Sequence, residues 1–153
     1  MLNGHMPILL VEDNPDDVEL AVRALKRNNI INPLEVVRDG QAALDYLYYT
    51  GEYSDSLHPL PGVILLDLKL PKVDGIEILR KIKTDRRRKL IPVVVLTSSR
   101  EERDVVETYD LGVNSYIRKP VDFEQFVEIV KQIGYYWLLL NEHPSVKPAK
   151  DIL

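Results

Sequence analysis

Apolar residues along the chain fall in five short runs, and amphipathic stretches separate them. Ile8-Leu9-Leu10-Val11, Val63-Ile64-Leu65-Leu66 and the Val93-Val94-Val95-Leu96 stretch after Ile91-Pro92 are continuously apolar. Short unbroken runs of this kind read as strands buried on both faces. Leu34-Glu35-Val36-Val37 and Ser115-Tyr116-Ile117-Arg118 are shorter and more mixed strands. Between the runs the period changes from strand-like to helical. Val18, Ala21, Val22 and Leu25 predict a helix to about Asn28, with Asn14 or Asp13 as its cap and Pro15 in its first turn. Asp16, Asp17 and Glu19 suit the positive N-terminal end of that helix. Ala42, Ala43, Leu44 and Leu47 mark a second helix after the Asp39-Gly40 turn. Ile76, Ile78, Leu79 and Ile82 mark a third, ending near Thr84-Asp85. The fourth, Glu101 to Leu111, has little more than Val105, Val106 and Leu111 to bury, and Gly112 suits its C-cap. Asp122 caps a long last helix from Phe123 to about Asn141. Strand and helix alternate five times, so the expected fold is α/β: a five-stranded parallel sheet with helices on both faces and right-handed crossovers.

The polar residues that follow the strands carry the chemistry. Glu12 and Asp13 follow the first, Asp67 the third, Thr97 and Ser98 the fourth, and Lys119 the fifth. Taken singly, each has an ordinary reading: Asp67 as a turn cap before Pro71 and Asp74-Gly75, Thr97 as a strand-end hydroxyl, Lys119 as a surface lysine. In a parallel sheet, however, strand ends of one sense share one edge, and ligands of open α/β sheets bind just outside the carboxyl ends. Three carboxylates in one shallow pocket repel one another unless a hard cation sits among them, and this ligand set suits Mg²⁺. A metal-neutralised aspartate can attack phosphorus and form an acyl phosphate. Mg²⁺ and the Lys119 ammonium would supply the positive charge that phosphoryl transfer requires, and the Thr97 hydroxyl could bond a third oxygen.

Composition narrows the classes. The 153 residues suffice for one ordinary domain, and 45% apolar with 29% charged is a soluble globular balance. A net charge of −4 argues against a general nucleic-acid binder. Arg86-Arg87-Arg88-Lys89 could attract phosphate or nucleic acid, but reads better as a solvated helix end. The absence of cysteine removes disulfides and thiolate metal sites, which fits a reducing cytoplasm. No apolar run approaches the ~20 residues of a membrane span, and no leader is visible. Residues 1–6 are expected to be a disordered N-terminus or cloning scar, 7–141 the domain, and 142–153 a tail. Tyr46, Tyr48, Tyr49 and Tyr53 are dense, and are expected to cover the sheet edge with their hydroxyls in water. Residues 51–62 read as a long surface loop.

Glu12-Asp13, Asp67, Thr97-Ser98 and Lys119-Pro120, in order and each at a strand end, resemble the response-regulator receiver domains of two-component signalling. The resemblance spans Ile8 to Asn141 and implies the (βα)5 flavodoxin-like receiver fold. It implies that Asp67 is the phosphoacceptor, taking its phosphoryl group from a kinase phosphohistidine. Asp13 and Asp67 would bind Mg²⁺ directly, with the Lys69 backbone carbonyl as a further ligand and Glu12 acting through water. Thr97, Ser98 and Lys119 would face the phosphoryl group. Lys119-Pro120 would be a cis peptide that aims the lysine inward. Thr97 and Tyr116 would form the switch, changing the face made by the fourth helix, fifth strand and fifth helix. Lys69, two residues after the acceptor, departs from the family pattern and would overhang the site.

A narrower resemblance lies in the tyrosine-rich stretch Leu47 to Pro61 and in Tyr136-Trp137-Leu138-Leu139-Leu140-Asn141. These look like the stand-alone regulators paired with phytochrome-type histidine kinases, which implies a sensor kinase of that type and a homodimer. Tyr135, Tyr136, Leu139 and Leu140 add apolar cover to the otherwise core-facing last helix and form the expected dimer interface; a tail folded back over it is the alternative. No output domain is expected, so signalling is expected to run through protein–protein contacts, without nucleic acid or membrane. Two competitors stand beside this reading. One is a phosphate-independent binding module of receiver shape. The other is an aspartyl-nucleophile phosphatase of the haloacid-dehalogenase type, which wants an acid where Lys69 stands.

Overall fold

A computed structural model of the protein describes residues 6–98, 102–119 and 122–134. Five strands, β1 (Ile8–Val11), β2 (Leu34–Val37), β3 (Val63–Leu66), β4 (Val93–Thr97) and β5 (Ser115–Arg118), form one parallel sheet in the order β2-β1-β3-β4-β5. The central strands β1, β3 and β4 are buried throughout, as their unbroken apolar runs require. The sheet edge strands β2 and β5 are only partly buried and accordingly keep polar residues.

Alternate strand residues point to opposite faces. Ile8, Leu10, Val63, Leu65, Val94 and Leu96 meet α1 (Pro15–Arg27) and α5 (Phe123–Ile133). Leu9, Val11, Ile64, Leu66, Val93 and Val95 meet α2 (Gly40–Tyr48) and α3 (Gly75–Lys83). On that same face lies α4 (Glu102–Asp110), followed by Leu111 and Val113. Each fully buried aliphatic side chain contributes about 1.5–3 kcal/mol, so the two faces hold the sheet as a rigid platform. Asn14, Asp39, Asp74 and Asp122 cap their helices with side-chain oxygens. Met6 is already buried, and its carbonyl accepts from Asn32 Nδ2 at 2.9 Å.

Three details differ from the sequence reading. Tyr46 and Tyr49 are buried rather than wetted at the hydroxyl end. The His58 ring stacks between them, 4.0 Å from Tyr46 and 4.6 Å from Tyr49. The Tyr49 hydroxyl donates to the His58 carbonyl at 2.7 Å, and the Tyr53 hydroxyl to Glu35 at 3.1 Å. The cause is the 51–62 segment, which folds back: after a 3-10 turn at Gly51–Tyr53, residues 60–62 are buried. Arg88 is the third difference. Its guanidinium lies 4.0 Å over the Tyr48 ring, its Nε donates to the Leu47 carbonyl at 2.7 Å, and it pairs with Asp85 at 3.2 Å. It joins α2 to the end of α3 instead of standing in solvent. Residues 135–141, over which the last helix was expected to continue, the expected tail 142–153, and with them Tyr135, Tyr136, Leu139 and Leu140, lie outside the described residues.

Candidate functional site

The order β2-β1-β3 reverses direction at β1, so the gap between the carboxyl ends of β1 and β3 is the sheet's switch point, where such folds bind ligands. Ladder hydrogen bonds continue one step past the strands and fix the polar residues there. The Glu12 amide donates to the Val37 carbonyl at 3.0 Å, the Asp67 amide to Val11 at 3.0 Å, and the Lys119 amide to Thr97 at 2.8 Å. Beneath Asp67 the chain is tightly packed. A Cβ on Gly75 would sit 2.6 Å from both the Asp67 carbonyl oxygen and the Leu68 Cα. Only glycine lets the start of α3 close against the loop that carries Asp67.

One carboxylate oxygen from each of Glu12, Asp13 and Asp67 lies within 4.8 Å of the other two. Glu12 is 2% exposed and Asp67 5%, whereas Asp13 faces solvent. The Asp67 Oδ1 accepts the Lys69 amide at 3.2 Å, and Glu12 Oε2 accepts the Asn14 amide at 3.2 Å. Lys119 reaches in from the end of β5, with Nζ 2.8 Å from Glu12, 2.7 Å from Asp17 and 3.4 Å from Asp67. Burial pushes the Glu12 carboxyl up to about 7, against the pull of the Lys119 hydrogen bond. Burial works against the Lys119 charge, but hydrogen bonds to Asp17 and Glu12 outweigh it and hold the ammonium above the usual lysine range.

These groups line a cleft of about 480 Å³ together with Asn14, Lys69 and Ser98. Four carboxylates therefore face two ammoniums, and one of the two, Lys69 Nζ, leans to within 3.9 Å of Asp104 on α4. Three hard oxygen donors around one point, with one side open to water, fit a hard divalent cation. The cation would offset charge that Lys119 alone does not balance.

The sequence-derived residues gather as follows. Glu12, Asp13, Asp67 and Lys119 converge, and Lys69 and Ser98 line the same cleft. Thr97 is fully buried at the end of β4, next to the cleft through its backbone bond to Lys119. Tyr116 is partly buried opposite Val95, packed on the α3 and α4 side of the sheet. Pro120 lies outside the described residues, and with it the expected cis peptide. Asp17 is the residue the sequence reading missed. An acid in the first turn of a helix is already accounted for by the helix dipole, and the sole hint was its place one turn beyond Asp13.

Comparison with known proteins agrees with this geometry. The family model of the response regulator receiver domain matches residues 8–131. The response regulator Rcp1 of Synechocystis sp. is 46% identical over 136 residues, 89% of this chain and 91% of that protein. The Mn²⁺-bound form of Rcp1 superposes with a TM-score of 0.81 at 44% identity, over 92% of this chain and 99% of that one. FilR2 of Methanothrix harundinacea, a probable methanogenesis regulatory protein, is 46% identical over 138 residues, 90% of this chain and 87% of that protein. The phosphorylated cyanobacterial phytochrome response regulator RcpA superposes with a TM-score of 0.82 at 45% identity, over 92% of this chain and 99% of that one. Strand order, converging acids with their lysine, and these likenesses lead to one assignment: the chain belongs to the response regulator receiver family.

Proposed function

We propose that Asp67 accepts a phosphoryl group from a histidine kinase, with Mg²⁺ held by Glu12, Asp13, Asp67 and the Lys69 carbonyl. As a receiver, the protein acts in two-component signalling, with a histidine kinase as partner and a divalent metal at the acidic site. The observation that carries the proposal is the convergence of Lys119 with Glu12 and Asp67 at the switch point.

In the transfer, an Asp67 carboxylate oxygen attacks the phosphorus. The phosphorus–nitrogen bond of the phosphohistidine breaks, and the bonding pair leaves with the imidazole. The product is an acyl phosphate on Asp67. The bound cation would supply charge neutralisation for the phosphoryl oxygens. Lys119 would donate to one of those oxygens, Ser98 offers a hydroxyl from the cleft wall, and Thr97, buried at the end of β4, would offer another once it moves. Thr97 moving toward the new group would free space for Tyr116, and the face around α4 and β5 would carry the signal. Water would hydrolyse the acyl phosphate in the same cleft, so the protein would turn over its own phosphoryl group.

The proposal extends to a phytochrome-type kinase as donor, which the likeness to RcpA supports. It also extends to a cytoplasmic homodimer through Tyr135, Tyr136, Leu139 and Leu140, which the apolar composition of that segment supports. Incubation with labelled acetyl phosphate and Mg²⁺ tests the core of the proposal. Wild-type protein takes up label and Asp67→Asn does not; label retained by folded Asp67→Asn refutes it.

A further inference from the structure

We propose that Asp17 is a positioning residue: while Asp67 carries no phosphoryl group, it holds the Lys119 ammonium back from Asp67 and so weakens the site's hold on a phosphoryl group. The inference rests on the function proposed above.

A lysine ammonium has three donors. Here they meet Asp17 at 2.7 Å, Glu12 at 2.8 Å and Asp67 at 3.4 Å. Charge-assisted N–H···O bonds run about 2.7–2.9 Å. The first two contacts are full bonds, and the third is at the outer limit of one. The ammonium thus sits closer to Asp17 and Glu12 than to the acceptor.

The helix dipole suits an acid in this first turn, but it does not explain where the Asp17 carboxylate points. The Asn14 side chain already serves the Asp16 and Asp17 amides, so the Asp17 carboxylate is not needed to close the cap. Instead it crosses to Lys119, 102 residues further along the chain. It is also not one of the three carboxylates that close around the cation position, which are Glu12, Asp13 and Asp67.

A phosphoryl group on Asp67 would bring extra negative charge and new acceptor oxygens beside the ammonium. Closing the 3.4 Å gap draws Lys119 away from its two short bonds. Glu12 is buried and loses its counter-charge at high cost, whereas the Asp17 side chain is 27% exposed and can be rehydrated. The Asp17 bond is the one that gives. A contact made in one state and broken in the other biases the equilibrium between them.

The test uses full-length protein with saturating Mg²⁺ and beryllofluoride as the phosphoryl probe. Asp17→Asn is expected to bind beryllofluoride about tenfold more tightly than wild type, the equivalent of ~1.4 kcal/mol. Asp17→Glu, which keeps the charge, returns affinity toward wild type. A merely repulsive carboxylate would also gain on removal, so the lysine background separates the two causes: in Lys119→Met the Asp17→Asn gain disappears. The ammonium ¹⁵N–¹H signal of Lys119 in the probe-free protein provides a second readout, and it shifts or exchanges away in Asp17→Asn. Unchanged or weaker affinity in folded Asp17→Asn overturns the inference, as does a gain that persists beside Lys119→Met. If wild type binds no beryllofluoride, the proposed function falls and this inference falls with it; wild-type binding with an indifferent Asp17→Asn overturns this inference alone.

Discussion

Lys119→Met removes a charge while keeping most of the side chain's length, and its effect should depend on whether a divalent cation is present. The ammonium touches Glu12 at 2.8 Å, Asp17 at 2.7 Å and Asp67 at 3.4 Å. Taking one partner from a fully buried ion pair costs about 3–5 kcal/mol, because the other is left without compensation. Lys119 is 14% exposed and Asp17 is partly exposed, so water recovers part of this. The expected loss is about 2–3 kcal/mol in chelator at pH 8. A cation that binds only the native state then adds stability as its concentration exceeds the dissociation constant. The variant should also bind the cation more tightly, since a neighbouring positive charge is gone. Urea unfolding followed by circular dichroism, in EDTA and in millimolar Mg²⁺, measures both. A variant as stable as wild type in EDTA would refute the reasoning, and so would a loss of equal size in both solutions.

Other outcomes follow from the packing and from the tyrosines. Gly75→Ala places a Cβ against backbone atoms of Asp67 and Leu68, which cannot rotate away, so it should cost about 1–3 kcal/mol and lower phosphate uptake; equal stability and uptake would contradict the close approach. Tyr48 and Tyr53 are pushed up to about 12 by burial first, then by Asp85 and Glu35 respectively. The native state therefore holds more protons than the unfolded chain, whose tyrosines titrate near 10.0. Stability from this source is full below that pH and is lost as pH rises toward about 12. Phenolate absorbance of native protein should lag behind that of urea-unfolded protein over this range, and coincident curves would contradict the burial.

Much of the site was legible because its logic is local. An unbroken apolar run such as Val63–Leu66 identifies a buried parallel strand, and the next residue must then stand at the sheet edge. Asp67 and Glu12 follow from that rule alone, and the alternating elements bring their strand ends to one side. The less legible features depend on contacts distant in sequence. Asp17 has a sufficient local reason to occupy a first helical turn, which hides its bond to Lys119. The burial of Tyr46 and Tyr49 depends on the loop returning with His58, and nothing in their own spacing announces that. Arg88 looked solvated because three of its neighbours are basic, yet Leu47, Tyr48 and Asp85 claim its guanidinium.

The most direct measurement is chemical trapping of the acceptor. Protein incubated with acetyl phosphate and Mg²⁺ is reduced with borohydride, which converts an aspartyl phosphate to homoserine, and the modified position is located by peptide mass spectrometry. Conversion at Asp67 alone, and only when Mg²⁺ is present, is the predicted result. Conversion at Asp13 or Asp17, or at Asp67 without any divalent cation, would contradict the account.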